Sequence, residues 1–159
     1  MKDLQISIIG LGYVGLPLAL AFSKKFKVNG FDINKKRIDD LKLGIDVFKD
    51  QANKVILKNK KLKLTHNVND ISNSDFFIIT VPTPVDKKNK PDLTSLITSS
   101  KAVAKSIKKG SIIIYESTVY PSCTEDVCVP ILEKYSGLKF NKDFYCGYSP
   151  ERINVGDKK

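Results

Sequence analysis

Residues 8–18 read IIGLGYVGLPL, and the glycines at 10, 12 and 15 constrain the fold more than any other feature of the chain. Glycine loses more conformational freedom on folding than any other residue, so a turn built from three of them needs a reason. The stretch before it, LQISII (4–9), is rich in β-branched residues and bounded by glycine, as a buried parallel strand should be. After it, Val14, Leu18, Ala21 and Phe22 recur at helical spacing, and Pro17 falls in the first turn, where a missing N–H costs little. Strand, glycine elbow and helix together open a βαβ unit.

The rest of the chain continues that alternation. KVNGFD (27–32) reads as a second strand ending in an acid, and a helix capped by Asn34 follows and closes near Gly44. Residues 45–61 are the least legible stretch and read as helix with a lysine-rich end, before a short third strand at 62–65. DFFIITVPTPV (75–85) is an apolar strand broken by Pro82 and Pro84. Asp92 caps a helix whose stripe is Leu93, Leu96, Ile97, Val103, Ala104 and Ile107, with Lys108, Lys109 and Gly110 expected to end it. A fifth strand is expected at 111–118. Ser122 and Glu125 then read as a capping box, Pro130 as a kink and Gly137 as the helix end, before a sixth strand at 143–150. The expected fold is a doubly wound α/β parallel sheet in the order 3-2-1-4-5-6, with helices on both faces and all 159 residues in one domain.

In that setting each glycine acquires a task. Gly10 permits the tight turn, Gly12 lets a pyrophosphate lie against bare main chain, and Gly15 lets the helix approach the sheet. The helix N-terminus adds unpaired N–H groups and partial positive charge. Asp32, at the end of the next strand, is placed to hydrogen-bond the ribose hydroxyls of a dinucleotide and to repel a 2′-phosphate. That favours NAD over NADP. Arg37, with Lys35 and Lys36, speaks the other way, since a base one turn into the following helix can pair with such a phosphate. A strand-end acid that only shapes a turn is the plain alternative for Asp32.

Charge and composition narrow the partners. There are 27 Lys and Arg against 17 Asp and Glu, a formal charge of +10 that favours anionic partners. The lysine clusters at 58–63, 87–90 and 108–109 read first as solvated faces, with phosphate or partner contact as the rival reading. Aromatics are not interleaved among them and no reading element is recognisable, so nucleic acid is not expected as a partner. No run reaches the ~18 apolar residues of a membrane span, and no membrane partner is expected. The three cysteines, Cys123, Cys128 and Cys146, form no CxxC pair, which argues against a disulfide framework or a metal site and for the cytoplasm. His66 lies in a polar stretch and is given no role.

Beyond the elbow, the blocks GLGYVGLPLA, GFDINKKRI, TVPTP, YESTVYP and GYSPERIN fall in order at strand ends. Together they resemble the N-terminal, NAD-binding domain of the UDP-glucose/GDP-mannose dehydrogenase superfamily, the nucleotide-sugar 6-dehydrogenases. VPTPVDKKNKPDLT and ESTVYPSCTED are most similar to the branch acting on UDP-N-acetylhexosamines in surface-polysaccharide synthesis. The resemblance covers nearly the whole chain and is weakest at 45–61. It implies NAD-dependent oxidation of a sugar C6 alcohol to a carboxylate, by two hydride transfers and a thioester on a cysteine. It further implies that Gly10, Leu11, Gly12, Tyr13, Val14 and Gly15 cradle the pyrophosphate and that Asp32 and Arg37 hold the adenosine end. Val81, Pro82 and Thr83 would line the cofactor, Ser117 and Thr118 would reach the nicotinamide and a catalytic water, and Glu151 would orient that water or act as base. Without the resemblance, Glu151 reads as a surface acid paired with Arg152, and Thr118 as ordinary strand residue.

Two departures stand out. Val155 occupies a position where the glucose branch carries a second acid and the hexosamine branch a proline. The family's nucleophilic cysteine and catalytic lysine would lie beyond Lys159, so the 159 residues alone are expected to bind NAD without turnover, as part of a homodimeric two-domain enzyme. The rival readings are the cofactor domain of another dehydrogenase, of the 6-phosphogluconate type, and a stand-alone dinucleotide-binding module.

Overall fold

The computed structural model describes residues 4–48, 53–86 and 90–150. Six parallel strands form one sheet in the order β3-β2-β1-β4-β5-β6. They are β1 (Gln5–Ile9), β2 (Lys27–Phe31), β3 (Leu62–Thr65), β4 (Phe76–Ile79), β5 (Ser111–Tyr115) and β6 (Phe144–Tyr148). The connecting helices are α1 (Gly15–Ser23), α2 (Lys35–Lys42), α3 (Asn53–Lys58), α4 (Thr94–Ala104) and α5 (Val129–Ser136). The expected strand order is the observed one.

A parallel sheet covered on both faces must be apolar on both, and the strands alternate accordingly. Ile6 and Ile8 of β1, with Ile78 of β4, pack under α1 and α2 against Leu16, Ala19, Leu20, Ile38 and Leu41. Ile9, Phe77, Ile79, Ile113 and Tyr115 face the other way, into a core closed by Leu96 and Val103 of α4 and Leu132 of α5. Each of these buried Leu, Ile, Val and Phe side chains contributes roughly 1.5–3 kcal/mol relative to exposure, against the conformational entropy it loses.

Register matters most for the site. Ile9 pairs with both Phe31 and Ile79, and Ile79 pairs with Tyr115. Four strands therefore end level, and the next residues, Gly10, Asp32, Thr80 and Glu116, line up along one edge of the sheet.

Several local expectations need correction. The buried residues of α1 are Gly15, Leu16, Ala19, Leu20 and Ser23; of the residues read at helical spacing, Val14 is buried and Leu18 and Phe22 pack against the same core, while Ala21 alone is exposed. The central strands stop at Ile79 and Tyr115, since the segments that follow must leave the sheet to form the crevice. α4 ends at Ala104, well before Gly110, which instead takes φ +86° in the turn into β5. Asp92 does accept from the Thr94 N–H, at 2.9 Å, although Leu93 is the residue next to the helix. The Ser122–Glu125 capping box does not form. Ser122 has φ +68° and pairs with Asp126 at 2.5 Å, and a π-helical turn at Thr124–Cys128 leads into α5. Pro130 is the second residue of α5, directly after that π-helical turn. Asn34 caps α2, accepting from the Arg37 N–H, and Gly137 ends α5 with φ +73°, both as expected. Among the described residues of 45–61, helix is confined to 53–58, and 49–52 lie outside the described residues.

Candidate functional site

The carboxyl ends of β1, β2, β4 and β5 open onto a crevice of about 890 Å³. In an open parallel sheet this is where ligands bind, at the point where the strand order reverses between β1 and β4. Most of the residues singled out in the sequence line it: Gly10, Leu11, Gly12, Tyr13, Val14, Asp32, Arg37, Val81, Pro82, Thr83, Ser117 and Thr118. Gly15 stands behind them at the start of α1, and Glu151 lies outside the described residues.

The three glycines differ in what a side chain would meet. Gly10 has φ +95°, a conformation that side-chain-bearing residues rarely adopt. A Cβ at Gly15 would stand 1.9 Å from the Gly10 carbonyl oxygen and 2.5 Å from the Thr80 Oγ1, so the helix can begin there only without one. At Gly12 a Cβ would meet nothing within 4 Å. Protein packing therefore demands glycine at 10 and 15 but not at 12. Gly12 borders open crevice, which is the place for an external group to rest on main chain. The first main-chain bond beyond it runs from the Leu16 N–H to the Gly12 carbonyl, and the preceding N–H groups belong to the helix end that has no intrahelical partners.

The turn is held from both sides. Thr80 Oγ1 donates to the Gly10 carbonyl at 2.7 Å and sits 3.1 Å from that of Ile9, tying the end of β4 to the elbow. Asp32 accepts from the Leu11 N–H with one oxygen and from the Asn34 N–H with the other, both at 2.9 Å. An ionised carboxylate has about four acceptor sites, so after these two bonds it can still receive ribose hydroxyls. Arg37 is buried rather than reaching out. Its Nε donates to the Leu11 carbonyl at 2.9 Å, its Nη2 to Asp46 at 2.8 Å, and its guanidinium lies over the Phe48 ring, 5.1 Å from the centroid. Arg37 Nη1 and Asp46 Oδ2 have no partner among the described residues. Phe48 in turn meets Tyr13 edge-on at 6.0 Å.

The other half of the crevice is built from hydroxyls. Ser117 Oγ donates to the Val81 carbonyl at 2.7 Å, and Thr83 Oγ1 donates to the Thr118 carbonyl, so the segments after β4 and β5 are cross-tied twice. Ser117 is buried by this arrangement, while the Thr118 side chain is exposed. Glu116 lines the crevice beside them.

Sequence reasoning missed four groups. Asp46 and Phe48 lie in the stretch that resisted reading, and only the buried Arg37 reveals their role. Thr80 looked like the end of an apolar strand. Thr94, Ser95, Thr98 and Ser99 put a hydroxyl-bearing side of α4 into the crevice wall. The i, i+4 recurrence of Thr94 and Thr98, and of Ser95 and Ser99, was a legible signal, hidden by attention to the apolar stripe on the same helix.

The cysteines take no part. Cys123 and Cys128 are fully buried and Cys146 is partly so, and all three are free thiols. Burial pushes the Cys128 thiol up to about 11 and that of Cys146 to about 12, the reverse of an activated nucleophile. Among the described residues no group of His, Cys, Asp and Glu could hold a metal ion, and no helix is long and apolar enough to cross a membrane.

The crevice fits a dinucleotide on two counts: the open space above Gly12, and the Asp32 carboxylate lining the crevice with acceptor sites left over. Comparison with known proteins agrees. Residues 4–158 match the NAD binding domain of the UDP-glucose/GDP-mannose dehydrogenase family. The chain is 54% identical, over its full length and 38% of the relative's, to a UDP-N-acetyl-D-glucosamine 6-dehydrogenase of Pseudomonas aeruginosa. It is 55% identical to Protein CapL of Staphylococcus aureus, over 97% of this chain and 36% of that one. Among solved structures, a UDP-D-ManNAc dehydrogenase from Pyrococcus horikoshii superposes with a TM-score of 0.86 at 37% identity, covering 96% of this chain and 37% of that one. The chain thus spans somewhat over a third of the length of these relatives.

Proposed function

The chain belongs to the UDP-glucose/GDP-mannose dehydrogenase family and carries its NAD-binding domain, and from that premise we propose that the whole protein oxidises the C6 alcohol of a UDP-N-acetylhexosamine to the uronic acid. Surface polysaccharide synthesis is the process such a product serves. The relatives' names support the hexosamine, since the P. aeruginosa and P. horikoshii proteins are named for N-acetylglucosamine and N-acetylmannosamine nucleotides. The observation that carries the reading is the bare main chain at Gly12, open to the crevice and flanked by Asp32.

Bound NAD would supply the hydride acceptor. This chain's residues bind, orient and exclude. The Gly10–Gly15 turn, with the α1 N-terminus, receives the diphosphate through main-chain N–H groups and a favourable dipole. Asp32 accepts ribose hydroxyls and repels a 2′-phosphate, and Arg37, spent on Leu11 and Asp46, is poorly placed to reverse that preference. Val81, Pro82 and Thr83, which line the crevice, would hold the nicotinamide end. Ser117, whose hydroxyl donates a hydrogen bond to the Val81 carbonyl, would offer its oxygen lone pairs to a carboxamide N–H, and the exposed Thr118 hydroxyl can hold a water. Glu151 takes the proton from that water. The protein works in the cytoplasm as a homodimer, with UDP-sugar as substrate.

Full-length protein given NAD and UDP-N-acetylglucosamine or UDP-N-acetylmannosamine should form NADH, two per sugar oxidised, with the uronic acid confirmed by mass. NADP should serve at least tenfold less well. An absence of NADH with every UDP-N-acetylhexosamine, in protein shown to bind NAD, would refute the proposal.

A further inference from the structure

At the end of the sheet opposite the crevice, the C-terminus of α1 and the turn from α3 into β3 enclose a shallow groove of about 620 Å³. It is lined by Ser23, Lys24, Lys58, Asn59, Lys60 and Lys61. Its walls are tied together. Asn59 Nδ2 donates to Ser23 Oγ at 2.6 Å, Lys61 Nζ to the Lys25 carbonyl at 3.2 Å, and the Val28 N–H to the Lys61 carbonyl at 2.9 Å.

Exposed lysines with no ion pair to a described residue also occur elsewhere, at Lys105, Lys134 and Lys142, but here four lysines gather around one concavity. Lys35, Lys36, Lys63, Lys108, Lys109 and Lys139 each stand against an Asp or Glu. Lys24, Lys58 and Lys60 are exposed and form no ion pair with a described residue. The sequence explains why: neither 4–31 nor 51–69 contains a single acid. A cation at each helix C-terminus suits the helix dipole. It does not account for four lysines around one concavity, where like charges repel and lower stability unless an anion joins them.

We infer that this groove is a second anion site, separate from the dinucleotide crevice, and that it takes a multiply charged phosphate group. Clustered ammonium groups bind phosphate as point charges, without the fixed fork of arginine. The chemistry is shared by a free polyphosphate and by the headgroups of an anionic bilayer. Val55, at the rim and about half exposed, lies where lipid would meet it.

The test uses full-length protein with NAD held at saturation, so that the crevice is filled. Inorganic tripolyphosphate is titrated calorimetrically at fixed ionic strength, and co-sedimentation is measured with vesicles of phosphatidylglycerol and phosphatidylcholine. Binding in either arm should weaken at least tenfold in the triple variant Lys24→Gln, Lys58→Gln, Lys60→Gln, on the basis of roughly fivefold per lysine at an anionic surface. NAD affinity should be unchanged. The charge-matched triple Lys105→Gln, Lys134→Gln, Lys142→Gln, on exposed lysines elsewhere, should change tripolyphosphate and vesicle binding less than twofold. Tripolyphosphate binding without vesicle binding identifies a soluble phosphate as the ligand. Vesicle binding that also falls severalfold in Val55→Ser identifies a bilayer. Binding in neither arm, or equal losses in the two triple variants, overturns the inference.

Discussion

The two halves of the crevice are built by different means. The half above β1 and β2 is locked by charge and close approach: Gly15 against the Gly10 carbonyl, Asp32 across two N–H groups, Arg37 between Leu11, Asp46 and Phe48. The half above β4 and β5 is held by two hydroxyl-to-carbonyl ties, over a core containing free thiols. The first half is organised before any ligand arrives, as suits a grip on the constant part of a cofactor. The second presents short hydroxyl side chains and an exposed Thr118, as suits the end where a substrate must come and go.

The largest test of that contrast is Gly15→Ala. With a carbonyl oxygen 1.9 Å from the new Cβ, the elbow must move, and we expect a loss of roughly 4 kcal/mol or failure to fold. Denaturant unfolding would read it. The same change at Gly12 should be tolerated within about 1 kcal/mol while weakening NAD binding, because only a ligand occupies that space. Equal destabilisation by the two would erase the distinction between packing glycine and binding glycine.

Next is the buried pair. Asp46→Ala leaves the Arg37 guanidinium uncompensated in a site where both side chains are nearly inaccessible, and should cost about 3 kcal/mol. A double-mutant cycle with Arg37→Met should recover part of that, since an apolar replacement of both partners removes the stranded charge. No recovery would mean that the Leu11 carbonyl, not Asp46, is what Arg37 serves.

The thiols test the other half. Burial holds the Cys128 thiol at about 11 when folded, against about 9 in an exposed chain. Stability from this group is complete below about pH 9 and is lost as pH rises through 11, because the unfolded chain releases its proton first. The melting temperature should therefore fall above pH 9, and less steeply in Cys128→Ala. An unchanged slope would place the alkaline sensitivity elsewhere. The smallest effect is at the seam between the halves: Thr80→Val removes the bond to the Gly10 carbonyl and should cost about 1 kcal/mol.

How much of this was legible follows from what each signal depends on. Strand order and the glycine elbow follow from patterns with one physical solution, and the structure has them as read; Asp32 stands at the crevice edge, where both of its readings put it. The capping box at Ser122 failed because Ser122 is held at positive φ and bonds Asp126, a tertiary arrangement that no four-residue pattern records. On α1 only Ala21 departs from the reading, exposed while Val14, Leu18 and Phe22 meet the core. Asp46 and Phe48 were invisible because their function is to receive Arg37 from an element already past. Position along a chain shows what a residue can do; its partner decides what it does.

The central claim is that NAD lies with its diphosphate on the Gly10–Gly15 main chain and its adenosine ribose on Asp32. Isothermal calorimetry of NAD and NADP on wild type and Asp32→Ala tests it most directly. The account predicts that the variant binds NAD about tenfold more weakly and loses its preference over NADP, with folding intact by circular dichroism. Unchanged NAD affinity, or an unchanged preference, in the folded variant would contradict it.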